Sequence, residues 1–226
     1  MFPLKDVNPS FSYPYVTKSL IALNTAIFFL TFFRDDYPLI VETWGFKPIY
    51  LYTGVRLETL FTSMFLHGDL HHLLGNMVFL WIFGDNVEDA LGHFRFLVFY
   101  LSSGVFAAFI QSIFSNDPFI VMIGASGAIS GVLGIYILFF PYARILTLVF
   151  YFFITIIEIP AYHFIWIWFV VQVINGTFSL LAPQPIGVAY WAHIGGFVFG
   201  LALGYLFRDV YRVRVKRDAY RHWIIG

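Results

Sequence analysis

Residues 124–131 read GASGAISG, and an apolar run without a charged residue follows them as far as Phe140. Glycine, alanine and serine fill the whole stretch apart from Ile129. In membrane helices, small residues four positions apart let two backbones approach closely. The stretch therefore either packs two helices together or presents a reactive serine between them. Residues elsewhere in the sequence are needed to distinguish these two functions.

The composition is that of a polytopic membrane protein. Of the 226 residues, 60% are hydrophobic and only 12% are charged, and the mean hydropathy is +0.79, too apolar for a soluble domain with a polar shell. The formal net charge is zero, so any bias toward a partner must come from where the charges lie, and no nucleic-acid partner is expected. The absence of cysteine excludes disulfides, thiolate metal sites and a cysteine nucleophile.

Apolar segments of about the ~20 residues that one membrane crossing needs recur along the chain. They predict an all-α, six-transmembrane-helix bundle with spans at Val16–Phe33, Leu70–Val87, Phe94–Phe114, Ser126–Phe140, Pro160–Thr177 and Trp191–Phe207. Residues 1–15 are then a lead-in, 16–207 the bundle domain and 208–226 a basic tail. Aromatic residues such as Trp44 and Tyr50 predict that the first outer loop, residues 35–69, rests in the membrane interface.

Charge decides the orientation and the place of one ambiguous segment. Residues 145–157 are apolar but too short to cross, so we expect a shallow segment or helix extension there. An even number of crossings places on the inner side ten of the thirteen Lys and Arg residues, namely Lys5, Lys18, Arg95, Arg144, Arg208, Arg212, Arg214, Lys216, Arg217 and Arg221. This predicts a multi-pass protein of the cell membrane with both termini in the cytoplasm and the polar site toward the outer leaflet.

Polar side chains are costly inside a membrane, so each one suggests a site. They concentrate in HGDLHHLLGN (residues 67–76), at Ser126 and at His193. These stretches open the second, fourth and sixth predicted spans, which all run in the same direction. We therefore expect them to lie at one depth.

The residue types at this depth favour acyl-transfer chemistry. Serine is a poor nucleophile unless a base accepts its proton, and His193 is the natural base for Ser126. His72 and Asn76 lie one turn apart on one helix face and, with the Ser126 amide, can donate to an oxyanion. Since the last span contains no carboxylate to orient His193, the pair resembles a dyad rather than a triad.

Other interpretations of these residues remain open. Ser126 could serve helix packing alone, as Gly196, Gly200 and Gly204 are expected to do. His67 and His71 have the spacing of zinc ligands on a helix, but the glutamate of HExxH and a third ligand are missing, so neither metal nor cofactor is expected. Asp69 and His71 are interpreted as capping or loop-facing groups, and Glu88 as structural.

Taken together, HGDLHHLLGNM, FGDNVEDALG, GASGAISG and AHIGG resemble the rhomboid intramembrane serine proteases, in the six-helix form found in prokaryotes. The resemblance runs from the first span to Phe207. It implies Ser126 as nucleophile, His193 as base, His72 and Asn76 as oxyanion donors, and His67 as a residue that structures or hydrates the cavity. Two departures stand out: the family's Trp-Arg pair before the second helix is Glu58-Thr59 here, and a tyrosine one turn after the nucleophile is Ser130.

The implied activity is hydrolysis of peptide bonds in or near transmembrane segments of single-pass membrane proteins, so substrate segments and the lipid bilayer are the expected partners. An intact helix hides its carbonyls in hydrogen bonds, which means that the protease must attack extended backbone. Two alternatives remain: a catalytically inactive relative that binds membrane clients, and a small polytopic transporter.

Overall fold

The computed structural model describes residues 1–150, 154–181 and 187–225, with side chains except those of Phe150, Val210 and residues 212–225. Long helices occupy all six segments in which spans were predicted. They are α1 (Tyr15–Thr31), α5 (Leu70–Leu91), α6 (His93–Phe114), α7 (Ser126–Phe139), α8 (Ala161–Leu181) and α9 (Tyr190–Ile225). Three short helices lie between α1 and α5, namely α2 (Tyr37–Trp44), α3 (Pro48–Thr53) and α4 (Thr59–Thr62).

Three helices of the described part combine the length and the hydropathy of a membrane span. These are His93–Phe114, Ala161–Leu181 and the part of α9 from Tyr190 to Asp209. Helices α1 and α7 are apolar but have only 17 and 14 residues. Helix α5 is long enough, but it carries Asp85, Glu88 and Asp89 toward its C-terminal end. The chain is thus a mostly helical protein with three candidate membrane spans.

The expectation of a purely α-helical fold was wrong in one region. Residues 145–157, predicted as a shallow segment or helix extension, belong to strands β2 (Arg144–Phe150) and β3 (Ile154–Pro160), with residues 151–153 outside the described part. The two strands pair antiparallel, from Arg144 opposite Pro160 to Phe150 opposite Ile154. Strand β1 (Phe2–Asp6) pairs antiparallel with the other side of β2, so the predicted lead-in contributes an edge strand.

Helix α7 is the centre of the bundle. Every residue from Gly127 to Ile137 is buried, and a helix that is apolar all round can be stable only in such an enclosed place. Glycines let α9 lie directly against it. A methyl group on Gly200 would meet the Gly131 carbonyl oxygen at 2.1 Å, so the two backbones are in contact there, as the spacing of small residues predicted.

The N-terminal segment and α1 are fastened to the C-terminal end of α5. The fully buried Glu88 carboxylate accepts the backbone N–H groups of Val16 and Thr17 at 2.9 and 2.7 Å. Asp89 accepts the N–H groups of Phe11 and Ser12 at 3.1 and 3.0 Å. Glu88 therefore satisfies N–H groups that have no partner inside the first turn of α1, which is the structural role the sequence suggested.

The expected boundary between bundle and basic tail, at residues 207 and 208, falls inside α9, which runs without a break to Ile225. The division of the chain into residues 1–15, 16–207 and 208–226 remains a prediction.

Candidate active site

Ser126 is the first residue of α7, and the segment before it is held in a fixed shape. Gly124 has a φ of +118°, which L-residues with a side chain rarely adopt. Its N–H donates to the Ser63 carbonyl at 2.9 Å, and Phe46 and Met122 form a two-bond bridge just upstream. These contacts attach the approach to Ser126 to the loop between α1 and α5.

The structure brings Ser126 and His193 together. The Nε2 atom of His193, on the first turn of α9, lies 2.8 Å from Ser126 Oγ. This is a hydrogen-bond distance, across 67 residues of sequence, and it depends on the close packing of α7 on α9. The pair therefore has the geometry in which a histidine can accept the proton of a serine hydroxyl.

A third side chain, which the sequence analysis missed, completes the hydrogen bonding of His193. The Oε1 atom of Gln172, on α8, lies 2.8 Å from His193 Nδ1. Gln172 Nε2 in turn donates to the Trp168 carbonyl at 3.4 Å. The signal available in the sequence was a single carboxamide in the apolar run from Trp166 to Ile174, where a polar group needs a partner.

His72 and Asn76 lie on the first turns of α5, beside Ser126. Both line a cavity of about 220 Å³ that also includes Ser126, His193, Phe79 and Trp168. Asn76 Nδ2 donates one hydrogen bond to the His72 carbonyl at 2.9 Å, which leaves its second N–H for another acceptor. The His72 ring faces Gly124 so closely that a Cβ there would lie 2.6 Å from Nε2.

The neighbours of His72 have the roles that the sequence suggested. Asp69 caps α5, because its carboxylate accepts the His72 N–H at 2.8 Å. The His71 side chain is fully exposed. Among the described residues, no three His, Asp, Glu or Cys side chains converge into a metal site.

His67 lies just before α5 and is almost completely buried, with 1% of its surface exposed. Neither ring nitrogen has a hydrogen-bond partner among the described groups, and the ring contacts that of His72 edge to face at 5.1 Å. Burial, with the nearby His72 adding to it, lowers the pKa of His67 to about 3. The side chain is therefore neutral at physiological pH.

A second cavity, of about 400 Å³, is also lined by Ser126 and His72. Polar groups from several elements line it, among them Ser63, Asp69, His72 and Gln111. The Gln111 Oε1 atom accepts the Ala192 N–H at 3.0 Å, next to His193. Ser126 thus lines both cavities, and the larger one has the greater share of polar lining.

The two departures from the family pattern have structural consequences. Ser130 does not support the histidine ring, because its hydroxyl donates to the Ser126 carbonyl at 2.7 Å. The ring contacts of His193 come instead from Trp168 and Tyr190, with centroids 6.2 and 6.4 Å away. In place of the Trp-Arg pair, Thr59 is buried and its hydroxyl donates to the Arg56 carbonyl at 2.6 Å.

Comparison with known proteins identifies the family of the chain. The family model described as "Rhomboid domain" matches residues 54–210. The match covers more than half of the chain and contains every residue of the candidate site. The chain belongs to the rhomboid family.

Curated relatives are similar over much of the chain. Rhomboid protein 1, mitochondrial, of Saccharomyces cerevisiae is 27% identical over 209 residues, which is 88% of this chain and 55% of that protein. RHOMBOID-like protein 1 of Arabidopsis thaliana is 30% identical over 66% of this chain and 34% of its own length. The human presenilin-associated rhomboid-like protein, mitochondrial, is 28% identical over 65% of this chain and 37% of its own length. The chain thus spans between about a third and just over half of these relatives.

Two of these names contradict the predicted location. The yeast and human relatives are named as mitochondrial, so the placement in the cell membrane with cytoplasmic termini was wrong. The physical reason is that the distribution of Lys and Arg reports only which ends of the helices share a side, and it does not distinguish one membrane from another.

Proposed function

We propose that this protein is an intramembrane serine endopeptidase that cleaves peptide bonds in or near transmembrane segments of other membrane proteins, with Ser126 as nucleophile and His193 as general base. The observation that carries the proposal is the 2.8 Å contact between Ser126 Oγ and His193 Nε2. Membership of the rhomboid family supports it, as does the position of Ser126 in the wall of both cavities and of His193 in the wall of the smaller one.

The reaction begins with proton transfer from the Ser126 hydroxyl to His193 Nε2 as Oγ attacks the scissile carbonyl. The tetrahedral intermediate collapses when the resulting imidazolium returns the proton to the leaving amine, which frees one product and leaves an ester on Ser126. A water molecule, deprotonated by His193, then attacks the ester, and the proton passes to Ser126 Oγ as the acid product leaves.

The oxyanion of both intermediates needs donors that are already in place. We assign this role to the Ser126 backbone N–H, the His72 ring and the second N–H of Asn76. The position of Ser126 supports the assignment, because N–H groups in the first turn of a helix have no acceptor within the helix and carry its positive dipole end. The buried His67 behind His72 is assigned a supporting role in the cavity.

The two cavities suit different reactants. The 400 Å³ cavity, with Asp69 and Gln111 in its wall, offers partners for water. The 220 Å³ cavity, with Phe79, Leu133 and Trp168, suits an apolar segment in extended form. The expected partners are accordingly single-pass membrane substrates and the lipid bilayer, with neither metal, cofactor nor nucleic acid.

We further propose that the six long helices all cross the membrane as one bundle spanning residues 16–207, with the loop of α2 to α4 resting at the interface. The short helices of that loop support this, since they expose Leu39, Trp44 and Tyr52. The names of the yeast and human relatives support a mitochondrial membrane as its location.

A fluorescent fluorophosphonate tests the nucleophile without a known substrate. We expect the purified protein in detergent to be labelled, and Ser126→Ala and His193→Ala to remain unlabelled while keeping the wild-type melting temperature. Ser102→Ala, which removes an exposed serine of α6, serves as the control and should label like the wild type. A folded wild type without label, or equal labelling of wild type and Ser126→Ala, would contradict the proposal and favour a client-binding or transport function.

A further inference from the structure

The carboxamide of Gln172 joins helix α8 to the candidate base. Gln172 has only 8% of its surface exposed, and the two polar atoms of its carboxamide have two different partners. These are the Trp168 carbonyl, one turn earlier on α8, and the His193 ring on α9. Buried polar atoms in native proteins are usually satisfied in this way. The two contacts together determine which way the amide points.

The orientation of the amide follows from the chemistry of its partners. The Trp168 oxygen can only accept a hydrogen bond, so the NH₂ group of Gln172 must face it. The carboxamide oxygen then faces His193 Nδ1 at 2.8 Å. The reversed amide would place its oxygen against the Trp168 oxygen, where neither atom has a proton to donate.

The amide in turn determines the protonation of the histidine. An oxygen beside Nδ1 requires that Nδ1 carries the hydrogen, and a neutral imidazole with hydrogen on Nδ1 has a free lone pair on Nε2. That nitrogen faces Ser126 Oγ at 2.8 Å. The chain of contacts from Trp168 through Gln172 and His193 to Ser126 therefore has one consistent set of donors and acceptors.

We propose that Gln172 is a positioning residue that keeps His193 in the tautomer able to accept the Ser126 proton, so that a carboxamide takes the place that a carboxylate has in a serine–histidine–acid triad. The inference rests on the proposed function of the pair. Ser130, one turn after the proposed nucleophile, does not hydrogen-bond to His193, since its hydroxyl donates to the Ser126 carbonyl.

A carboxamide is a poor substitute for the aspartate of a serine–histidine–aspartate triad. There, an amide can turn its NH₂ group toward the histidine, which imposes the wrong tautomer and costs about 10⁴ in kcat. In this protein the Trp168 carbonyl opposes that reversal. The neutral amide also avoids burying a charge in an apolar helix, which is expensive in a membrane.

Two substitutions remove the amide while preserving side-chain volume. Gln172→Met has the same unbranched length, and Gln172→Leu is a second apolar replacement in case the first alters packing. The matched control is Thr177→Val on the same helix, which removes an exposed hydroxyl bonded to the Val173 carbonyl at 2.8 Å. All variants are compared with the wild type in detergent, with melting temperatures recorded alongside.

The first measurement reports the tautomer directly. Protein labelled with ¹⁵N-histidine in the Ser126→Ala background gives ring-nitrogen resonances, and the His193 signals are those lost on His193→Ala. We expect hydrogen on Nδ1 with Gln172 present and a loss of this preference in Gln172→Met. An unchanged tautomer in both Gln172 variants would overturn the proposal, whether or not the protein is a protease.

The second measurement is kinetic, with a transmembrane peptide substrate. We expect Gln172→Met to lower kcat by about 10- to 100-fold with KM nearly unchanged. This is at or below the lower end of the ~10² to 10⁴ that a general base contributes, because His193 itself remains in place. Thr177→Val should keep the wild-type kcat. If Gln172→Met and Gln172→Leu both kept it too, Gln172 would have no positioning role. If the wild type itself neither cleaved nor labelled, the proposed function would fail, and the tautomer measurement would still test Gln172.

Discussion

A methyl group on Gly196 would lie 2.0 Å from the carbonyl oxygen of Gly127, so the helices that carry Ser126 and His193 meet backbone to backbone. Real Cβ atoms do not approach an oxygen so closely, and a rigid backbone cannot rotate away as a side chain can. The distance between Ser126 and His193 therefore depends on the absence of a side chain at Gly196, three residues after His193.

Gly200→Ala should separate α7 from α9, because its methyl group would meet the Gly131 carbonyl at 2.1 Å. We expect a loss of about 1 to 3 kcal/mol in stability, typical of overpacking, and a lower kcat as Ser126 and His193 move apart. Thermal unfolding in detergent and fluorophosphonate labelling measure the two effects. Gly75→Ala is the control, since nothing lies within 4 Å of its added methyl group; equal melting temperatures for the two variants would contradict the prediction.

Gly124→Ala should damage the site more than the fold. The new Cβ would lie 2.6 Å from His72 Nε2, and the φ of +118° disfavours any L side chain. We expect labelling of Ser126 to fall at least tenfold. Gly54→Ala separates the two causes, because Gly54 also has a positive φ, +70°, but nothing within 4 Å. Should both variants lose labelling equally, backbone strain rather than the contact with His72 would be the reason.

Two adjacent histidines on α5 should respond differently to substitution. His72→Ala removes a proposed oxyanion donor, so we expect kcat to fall by about 10² to 10³, equivalent to about 3 to 4 kcal/mol, with KM little changed. Asn76→Ala should behave in the same way. His71→Ala removes a fully exposed side chain next in sequence and should leave kcat unchanged. Similar losses of kcat in His71→Ala and His72→Ala would contradict the assignment of His72 as an oxyanion donor.

The contact between Asp6 and Tyr136 should make stability depend on pH. Asp6, on β1, accepts the Tyr136 hydroxyl at 2.7 Å, and burial, with the nearby Asp85 adding to it, raises the pKa of Asp6 to about 6. A raised pKa means that the folded protein binds the proton of Asp6 more tightly than the unfolded chain does. The stabilisation that protonated Asp6 gives to the fold is therefore complete below about pH 4 and is lost as the pH rises through 6. At about 1.4 kcal/mol per pKa unit, the loss is at most about 3 kcal/mol.

Asp6→Asn tests this directly, because the amide cannot ionise but can still accept the Tyr136 hydroxyl. We expect the melting temperature of the variant to rise relative to that of the wild type as the pH increases from 4 to 8. Parallel curves for the two proteins over this range would show that Asp6 does not titrate as described.

The sequence was sufficient to locate the helices and to single out the candidate pair, and the reason is chemical. Long apolar runs have few alternatives to helices in a membrane, so α5 begins at Leu70 and α7 at Ser126, as predicted. Ser126 and His193 were recognised because a polar side chain in such a run is expensive. The same argument applies to Gln172, but its partner is 21 residues away, and helix periodicity alone does not reveal which neighbouring helix it faces.

The sheet was missed because hydropathy does not distinguish an apolar strand from an apolar helix. The β-branched residues Ile145, Thr147 and Val149, followed by the run from Ile154 to Ile157, were the available signal. Strand β1 was harder to anticipate, since Pro3 argues against a strand. It is tolerated because β1 is an edge strand whose register shifts between Pro3 and Lys5.

If α7 crosses the membrane as proposed, its length determines how deep the proposed nucleophile lies. Fourteen residues at about 1.5 Å each span about 21 Å, whereas the hydrocarbon layer of a bilayer is about 30 Å thick. With its C-terminal end, which leads to β2, at one boundary of the layer, such a helix would have its first residue, Ser126, about 9 Å short of the other boundary. The hydrolysed bond would then lie below the membrane surface, at a depth that this chain sets through the number of residues in one enclosed helix.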